Sequence, residues 1–222
     1  MILHTAPQGS PEWHQARAGC ITGSMFVTAR QRLKSGPSKG DYTAAAKDYA
    51  FRLAVERIGG APLDEGFETW AMKRGHELEP AARAEHEVAI GVLVQPVGFV
   101  TTDDGKFGAS ADGFIGTDGG AEYKCLVSPE RLRSVILTGD LSEFTDQMQG
   151  GMWITGRKWW DFGLYCPALV SIGRQFTHYR MMRDDNYINE MELDLLEFER
   201  VVSKYEQTLR DRGKAEEFKE AA

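Results

Sequence analysis

Residues 107–127 read Phe107-Gly-Ala-Ser-Ala-Asp112-Gly-Phe-Ile-Gly-Thr-Asp-Gly-Gly-Ala-Glu122-Tyr-Lys124-Cys-Leu-Val127. Two short runs, 107–115 and 121–127, flank the turn-forming Gly116-Thr-Asp-Gly-Gly120, which predicts two strands joined as a hairpin. Residues two apart on a strand share a face, so Glu122 and Lys124 point the same way, and hairpin pairing can bring Asp112 onto that face. Two carboxylates and an ammonium then converge on a sheet of mostly small and apolar residues. Oxygen ligands without a His or Cys cluster suit Mg²⁺ or Mn²⁺ better than zinc. A lysine beside metal-bound water can orient it or help remove its proton. The reaction class that follows is metal-assisted phosphodiester hydrolysis. Glu-x-Lys alone is a weak signal, because a surface cross-strand ion pair worth about 0–1 kcal/mol has the same pattern. The hairpin and the upstream aspartate give it weight.

Working outward, the pattern predicts a strand over 92–102, joined to the next by Asp103-Asp104-Gly105 as a meander. Helical segments follow near 129–137 and 142–154, then strands at 159–166 and 175–182. On the N-terminal side, Ser10-Pro11-Glu12 reads as a helix start with Gly19 as its stop. A second helix runs from Asp41 to Ile58, ending at Gly59-Gly60, and a third from about Glu68 to Ile90. Between them Ser35–Gly40 is a polar loop. Ile188, Met191, Leu195, Phe198, Val202, Tyr205 and Leu209 make one apolar stripe on a C-terminal helix, with Asp184 or Asp185 as its cap. The expected organisation is one α/β domain over 1–222. It has a helical part at about 10–90, a small central mixed sheet flanked by helices at about 92–182, and an amphipathic helix at about 184–212.

Composition bounds the function. The chain has 222 residues with an ordinary globular balance, 42% hydrophobic and 27% charged. It contains no apolar run near the ~20 residues of a membrane helix, so no membrane role is expected. Three cysteines without a C-x-x-C pair exclude a disulfide scaffold and a zinc ribbon, and point to a reducing cytoplasm. The net charge of −7 argues at first against nucleic acid. By segment, however, residues 1–183 carry 20 Lys+Arg against 21 Asp+Glu, and residues 184–222 carry 6 against 12. Residues 17–57 hold 8 basic and 3 acidic side chains, a local +5. The acidity belongs mainly to the C-terminal helix, whose charged faces are expected to be solvated, while the basic N-terminal third is expected to be free to meet phosphate.

Six segments taken together resemble the lambda exonuclease and YqaJ-type viral recombinase family of PD-(D/E)XK nucleases. They are Trp13-His-Gln-Ala-Arg17-Ala-Gly-Cys-Ile-Thr-Gly-Ser24, Arg74-Gly-His-Glu-Leu-Glu79-Pro80, Gly108-Ala-Ser110-Ala-Asp112-Gly113, Glu122-Tyr-Lys124-Cys125, Asp146-Gln147-Met-Gln149-Gly-Gly-Met-Trp153, and the strand Trp159 to Tyr165. They occur in the family's order, and the set is far more specific than any one member. The resemblance implies a restriction-endonuclease-like core and a Mg²⁺-dependent 5′→3′ exonuclease, with Mn²⁺ as a substitute. Its substrate would be ends of linear double-stranded DNA, degraded on one strand to mononucleotides to leave 3′ single strands. It also implies a homotrimeric ring, a single-strand annealing protein as partner, and a phage or prophage setting in a bacterial cytoplasm.

By the same resemblance, Asp112 and Glu122 match metal-binding carboxylates, Lys124 the catalytic lysine, and Glu79 a further acidic metal ligand on a helix before the sheet. Gln147 matches a glutamine that completes the site from the following helix. Arg17, Ser24 and Ser110 match a pocket for the 5′-terminal phosphate. The family has an arginine shortly after its catalytic lysine; the equivalent position here is Glu130, and Arg131 or Arg133 would substitute with a shifted register. Leu126 stands where a proline often follows. Read locally, Glu79 is equally a surface helix acid and Gln147 a surface polar residue. Two rival readings remain: an endonuclease or repair nuclease of the same fold, and a non-catalytic DNA-end-binding recombination subunit. His76-Glu77 and His86-Glu87 lack the second histidine of H-E-x-x-H, and no Walker-type loop is present, so zinc protease and ATPase readings are unsupported.

Overall fold

In the computed structural model, which describes residues 1–63 and 69–220 and side chains through residue 212, the stretch 107–115 forms two strands instead of one, and they belong to different sheets. The first sheet holds β1 (Ile2–His4), β2 (Ile21–Thr22), β3 (Phe99–Thr101) and β4 (Phe107–Ser110) in the order β1-β3-β4-β2. The second holds β5 (Gly113–Ile115), β6 (Gly119–Lys124), β7 (Trp159–Tyr165) and β8 (Phe176–Met182) in the order β5-β6-β7-β8. The α/β class with small mixed sheets flanked by helices stands, but the meander through a single sheet does not.

The break has a local cause. Ser110 still pairs with Phe99 in the first sheet, whereas the Asp112 N–H donates to the Ala121 carbonyl of the second, 3.1 Å away. Ala111-Asp112 is therefore the crossing between sheets. Gly113 follows because Val94 and Gln95 pass directly over it: a Cβ there would meet Val94 Cγ1 at 2.3 Å. The expected strand 92–102 shrinks to β3 for related reasons. Pro96 has no N–H to donate, and Gly98 lies so near the His4 carbonyl that a Cβ would sit 2.1 Å from it.

The helices follow their caps. α1 (Pro11–Arg17) starts where Ser10 accepts from the Trp13 N–H at 3.2 Å, and α2 (Phe26–Ala29) is a single turn. α3 (Ala44–Gly59) begins three residues later than expected, because Thr43, accepting from the Ala46 N–H, is the cap and not Asp41. α4 (Trp70–Ile90) is capped by Thr69; the expected start at Glu68 lies outside the described residues. α5 (Pro129–Arg133) runs into a π-turn at Ser134–Thr138, and α6 (Thr145–Thr155) follows a 3₁₀ turn at Ser142–Phe144. α7 (Asp185–Glu220) extends past the expected end at 212. No described helix is long and apolar enough to cross a membrane.

α7 also corrects the charge argument. Ile188, Met191, Leu195, Phe198 and Val202 are buried against the alanine-rich face of α3, as the stripe requires. The acids flanking that stripe, however, are not simply solvated. Glu199 is buried and takes Arg57 in a two-pronged pair at 2.9 and 2.8 Å. Asp194 accepts from Arg30 at 2.9 Å, and Glu197 pairs with Arg32 at 2.7 Å. Three arginines of the basic third are thus paired with three acids of α7 because the two segments are packed together. Arg30 and Arg32, which precede the polar 35–40 loop, are engaged by α7, while Lys34 and Lys39 stay exposed.

Candidate active site

Because the chain changes sheets at Ala111-Asp112, one cleft of about 710 Å³ is lined from both. Every residue singled out from the sequence lines it: Arg17, Ser24, Glu79, Ser110, Asp112, Glu122, Lys124, Arg131 and Gln147. Arg133, the alternative to Arg131, lies off the cleft on a separate cavity of about 470 Å³.

The β6 pleat sends Glu122 and Lys124 to one face and Tyr123 to the other. Asp112 is anchored by its Oδ2, which accepts from the Tyr123 backbone N–H at 2.6 Å. Glu122 Oε1 accepts from Lys124 Nζ at 2.6 Å and from Gln147 Nε2 at 2.7 Å, so α6 closes the site over β6. Glu79 reaches the cleft from α4 and pairs with Arg83 one turn on. At the β4 side, Arg17 Nη1 donates to Ser110 Oγ at 2.9 Å, its guanidinium 4.1 Å over the Trp13 ring. Ser24 is exposed in a 3₁₀ turn (Gly23–Met25) at the cleft. Arg131 is held by Glu143 at 2.7 Å.

The electrostatics are strongly negative at the carboxylates. Burial, then the charges of Glu122 and Glu79, push the Asp112 carboxyl well above the usual carboxylate range. Glu79 is also raised, by burial first, against the opposing charges of Arg83 and His76. For Lys124, burial works against the charged form, but Glu122 and Asp112 outweigh it and the net shift is upward. The uncompensated carboxylates thus favour the ammonium form of Lys124. A buried, oxygen-only, mutually repelling donor set fits a hard divalent cation. As placed, no three His, Cys, Asp or Glu side chains among the described residues form a ligand group, and Glu79 is paired with Arg83.

Sequence reading missed two features beside the cleft. One is Arg83, marked only by its i,i+4 spacing from Glu79. The other is a buried chain behind β6. His86, fully buried on α4, contacts Tyr123 Oη at 2.9 Å and Asp161 Oδ2 at 3.2 Å. Arg180 of β8 then clamps Asp161 of β7 at 2.8 and 2.9 Å. Although burial opposes ionisation, the hydrogen bonds from Arg180 and His86 hold Asp161 below the usual carboxylate range. This chain ties the helix carrying Glu79 to the strand carrying Glu122. A polar residue inside a strand is the only sequence signal it leaves.

Solved structures share this architecture. An alkaline exonuclease from Laribacter hongkongensis superposes with a TM-score of 0.78 at 30% identity, covering 93% of this chain and 100% of that one. The same enzyme in complex with dAMP gives 0.79 at the same identity and coverage. A phage-related exonuclease from Haemophilus somnus, 19% identical, shares the fold at a TM-score of 0.63 over 87% of this chain and 96% of its own. The fold is that of an alkaline-exonuclease-type recombination nuclease. The profile of the YqaJ-like viral recombinase domain matches residues 12–158, and the chain belongs to that family. No curated protein matches the sequence significantly.

Proposed function

We propose that the chain is a Mg²⁺-dependent 5′→3′ exonuclease that degrades one strand of linear duplex DNA to mononucleotides, leaving 3′ single strands for annealing. The observation that carries this reading is the pairing, in one cleft, of an acidic oxygen-donor cluster with an arginine that lacks an acidic partner. Arg17 hydrogen-bonds Ser110 and stacks on Trp13, and no carboxylate among the described residues pairs with it. An arginine and a serine hydroxyl side by side, close to metal-ligating carboxylates, suit a terminal phosphate held next to a scissile one.

Asp112, Glu122 and Glu79 would hold Mg²⁺ or Mn²⁺, which when bound polarises the scissile phosphate and makes water a better nucleophile. Lys124, as an ammonium, orients that water and stabilises charge on the phosphate. Gln147 keeps Glu122 in place through its hydrogen bond. Arg17, Ser110, Ser24 and Arg131 grip the 5′ phosphate and set polarity. Arg131 would have to leave Glu143 to do so. We further propose a single nuclease domain over 1–222, a homotrimeric ring that threads the product strand, a single-strand annealing partner, and work in a bacterial cytoplasm, encoded by host or prophage.

The test is a time course with Mg²⁺ on three duplexes: 5′-phosphorylated linear, dephosphorylated linear and covalently closed circular. Rapid nucleotide release from the first, slower from the second and none from the third is expected. Efficient cutting of the closed circle would instead identify an endonuclease. Binding without hydrolysis on any substrate would identify an end-binding subunit.

A further inference from the structure

Arg83 sits one turn after Glu79 on the same face of α4. Its Nη2 donates to Glu79 Oε1 at 2.5 Å and to the Asp112 carbonyl at 3.3 Å. Its Nε is buried and has no hydrogen-bond partner among the described residues. Leaving a buried donor unmet is costly. Nη2 is thus shared between a carboxylate and a backbone carbonyl, while the buried Nε, which a purely structural staple would turn to an acceptor, meets none among the described residues. Around it, three carboxylates from α4, the sheet crossing and β6 share one cleft, with Lys124 answering Glu122 and Arg83 answering Glu79.

Resting on the reading of this cleft as a divalent-cation site, we propose that Arg83 is a positioning residue that serves as the built-in counter-cation of the free protein. It neutralises Glu79 while no cation is present and gives up that carboxylate when one binds. Apparent affinity is reduced by the fraction of molecules in which the ligand is already engaged. Arg83 therefore makes cation binding weaker and more readily reversible, while keeping like charges from driving the empty site apart.

The expected sign is distinctive: removing this arginine beside the cleft should tighten cation binding even if it harms activity. The experiment is calorimetric titration of the full chain with Mn²⁺, without DNA, alongside thermal melts with and without Mn²⁺. Arg83→Gln and Arg83→Met should bind Mn²⁺ at least about tenfold more tightly, the lower bound being the effect of deleting a unit charge a few ångströms from a divalent ion under water-like screening. Both should melt lower than wild type without Mn²⁺ and gain more from adding it. Arg83→Lys, which keeps the charge, should stay near wild type. A variant that is unfolded alone but folds with Mn²⁺ supports the same role. Mn²⁺ binding no tighter than wild type in both neutral variants, or failure of both to fold even with Mn²⁺, overturns it. A wild type that binds no Mn²⁺ and titrates like Asp112→Asn, with neither neutral variant binding, is a different failure. It removes the cation-site reading, and this role with it.

Discussion

The pair between Arg57 of α3 and Glu199 of α7 offers a prediction with a magnitude. Glu199 is 5% exposed and accepts both terminal nitrogens of Arg57; Ser203 Oγ at 3.0 Å and Lys106 Nζ at 3.3 Å also reach it. Arg57 Nε donates to the Gly19 carbonyl at 2.8 Å, and Gly19 lies two residues past the end of α1, which carries Arg17. Glu199→Gln removes the charge and leaves the largely covered Arg57 guanidinium unbalanced. Breaking one side of a buried pair costs about 3–5 kcal/mol. Arg57 keeps its bond to Gly19, which places the loss near the lower figure. For a chain of this length each kcal/mol moves the melting temperature by about 2–4 °C, so a fall of roughly 6–12 °C is expected. Scanning calorimetry, without DNA or divalent ions, reads it directly. The double variant Arg57→Met/Glu199→Leu should recover most of the loss, because it removes the unpaired charge along with its partner. A single variant melting within about 2 °C of wild type would falsify the claim that the basic third and the acidic helix are energetically coupled.

Other outcomes can be checked with the same material. Asp112→Asn should abolish Mg²⁺-dependent nucleotide release and yet raise the melting temperature at pH 7 in cation-free buffer. The folded state raises the Asp112 pKa, so ionising it costs stability as pH rises above its unfolded value, and the amide removes that cost. Asp161 has the opposite sign: its lowered pKa adds stability above the unfolded value, lost as pH falls through the folded one. Asp161→Asn should therefore lower the melting temperature at pH 7 and flatten its decline below about pH 4. Gly113→Ala forces a methyl against Val94 and should cost about 1–3 kcal/mol by denaturant titration, with a matching loss of activity as Asp112 shifts. Arg17→Ala should erase any preference for 5′-phosphorylated over dephosphorylated ends, measured as the ratio of initial rates.

Local rules were enough to mark out Asp112, Glu122 and Lys124, because strand alternation and turn chemistry act over a few residues. The same holds for the helix start at Ser10 and the stop at Gly59-Gly60, whereas the Thr43 cap of α3 displaces the start expected at Asp41. Glu79, Gln147, Arg17 and Ser24 had no local signal that distinguished them from surface residues; only the ordered set of motifs singled them out. What local rules could not supply was the split of 107–115 between two sheets. That depends on Val94 and Gln95 crossing over Gly113, a contact between segments about 20 residues apart in the chain. Nor could they show that Arg30, Arg32 and Arg57 would be claimed by acids more than a hundred positions away. Charge totals and periodicities are properties of the chain. Which carboxylate faces which guanidinium, and which candidate phosphate-binding side chain stands beside which candidate metal ligand, is decided when long-range packing brings the two sheets and the C-terminal helix together.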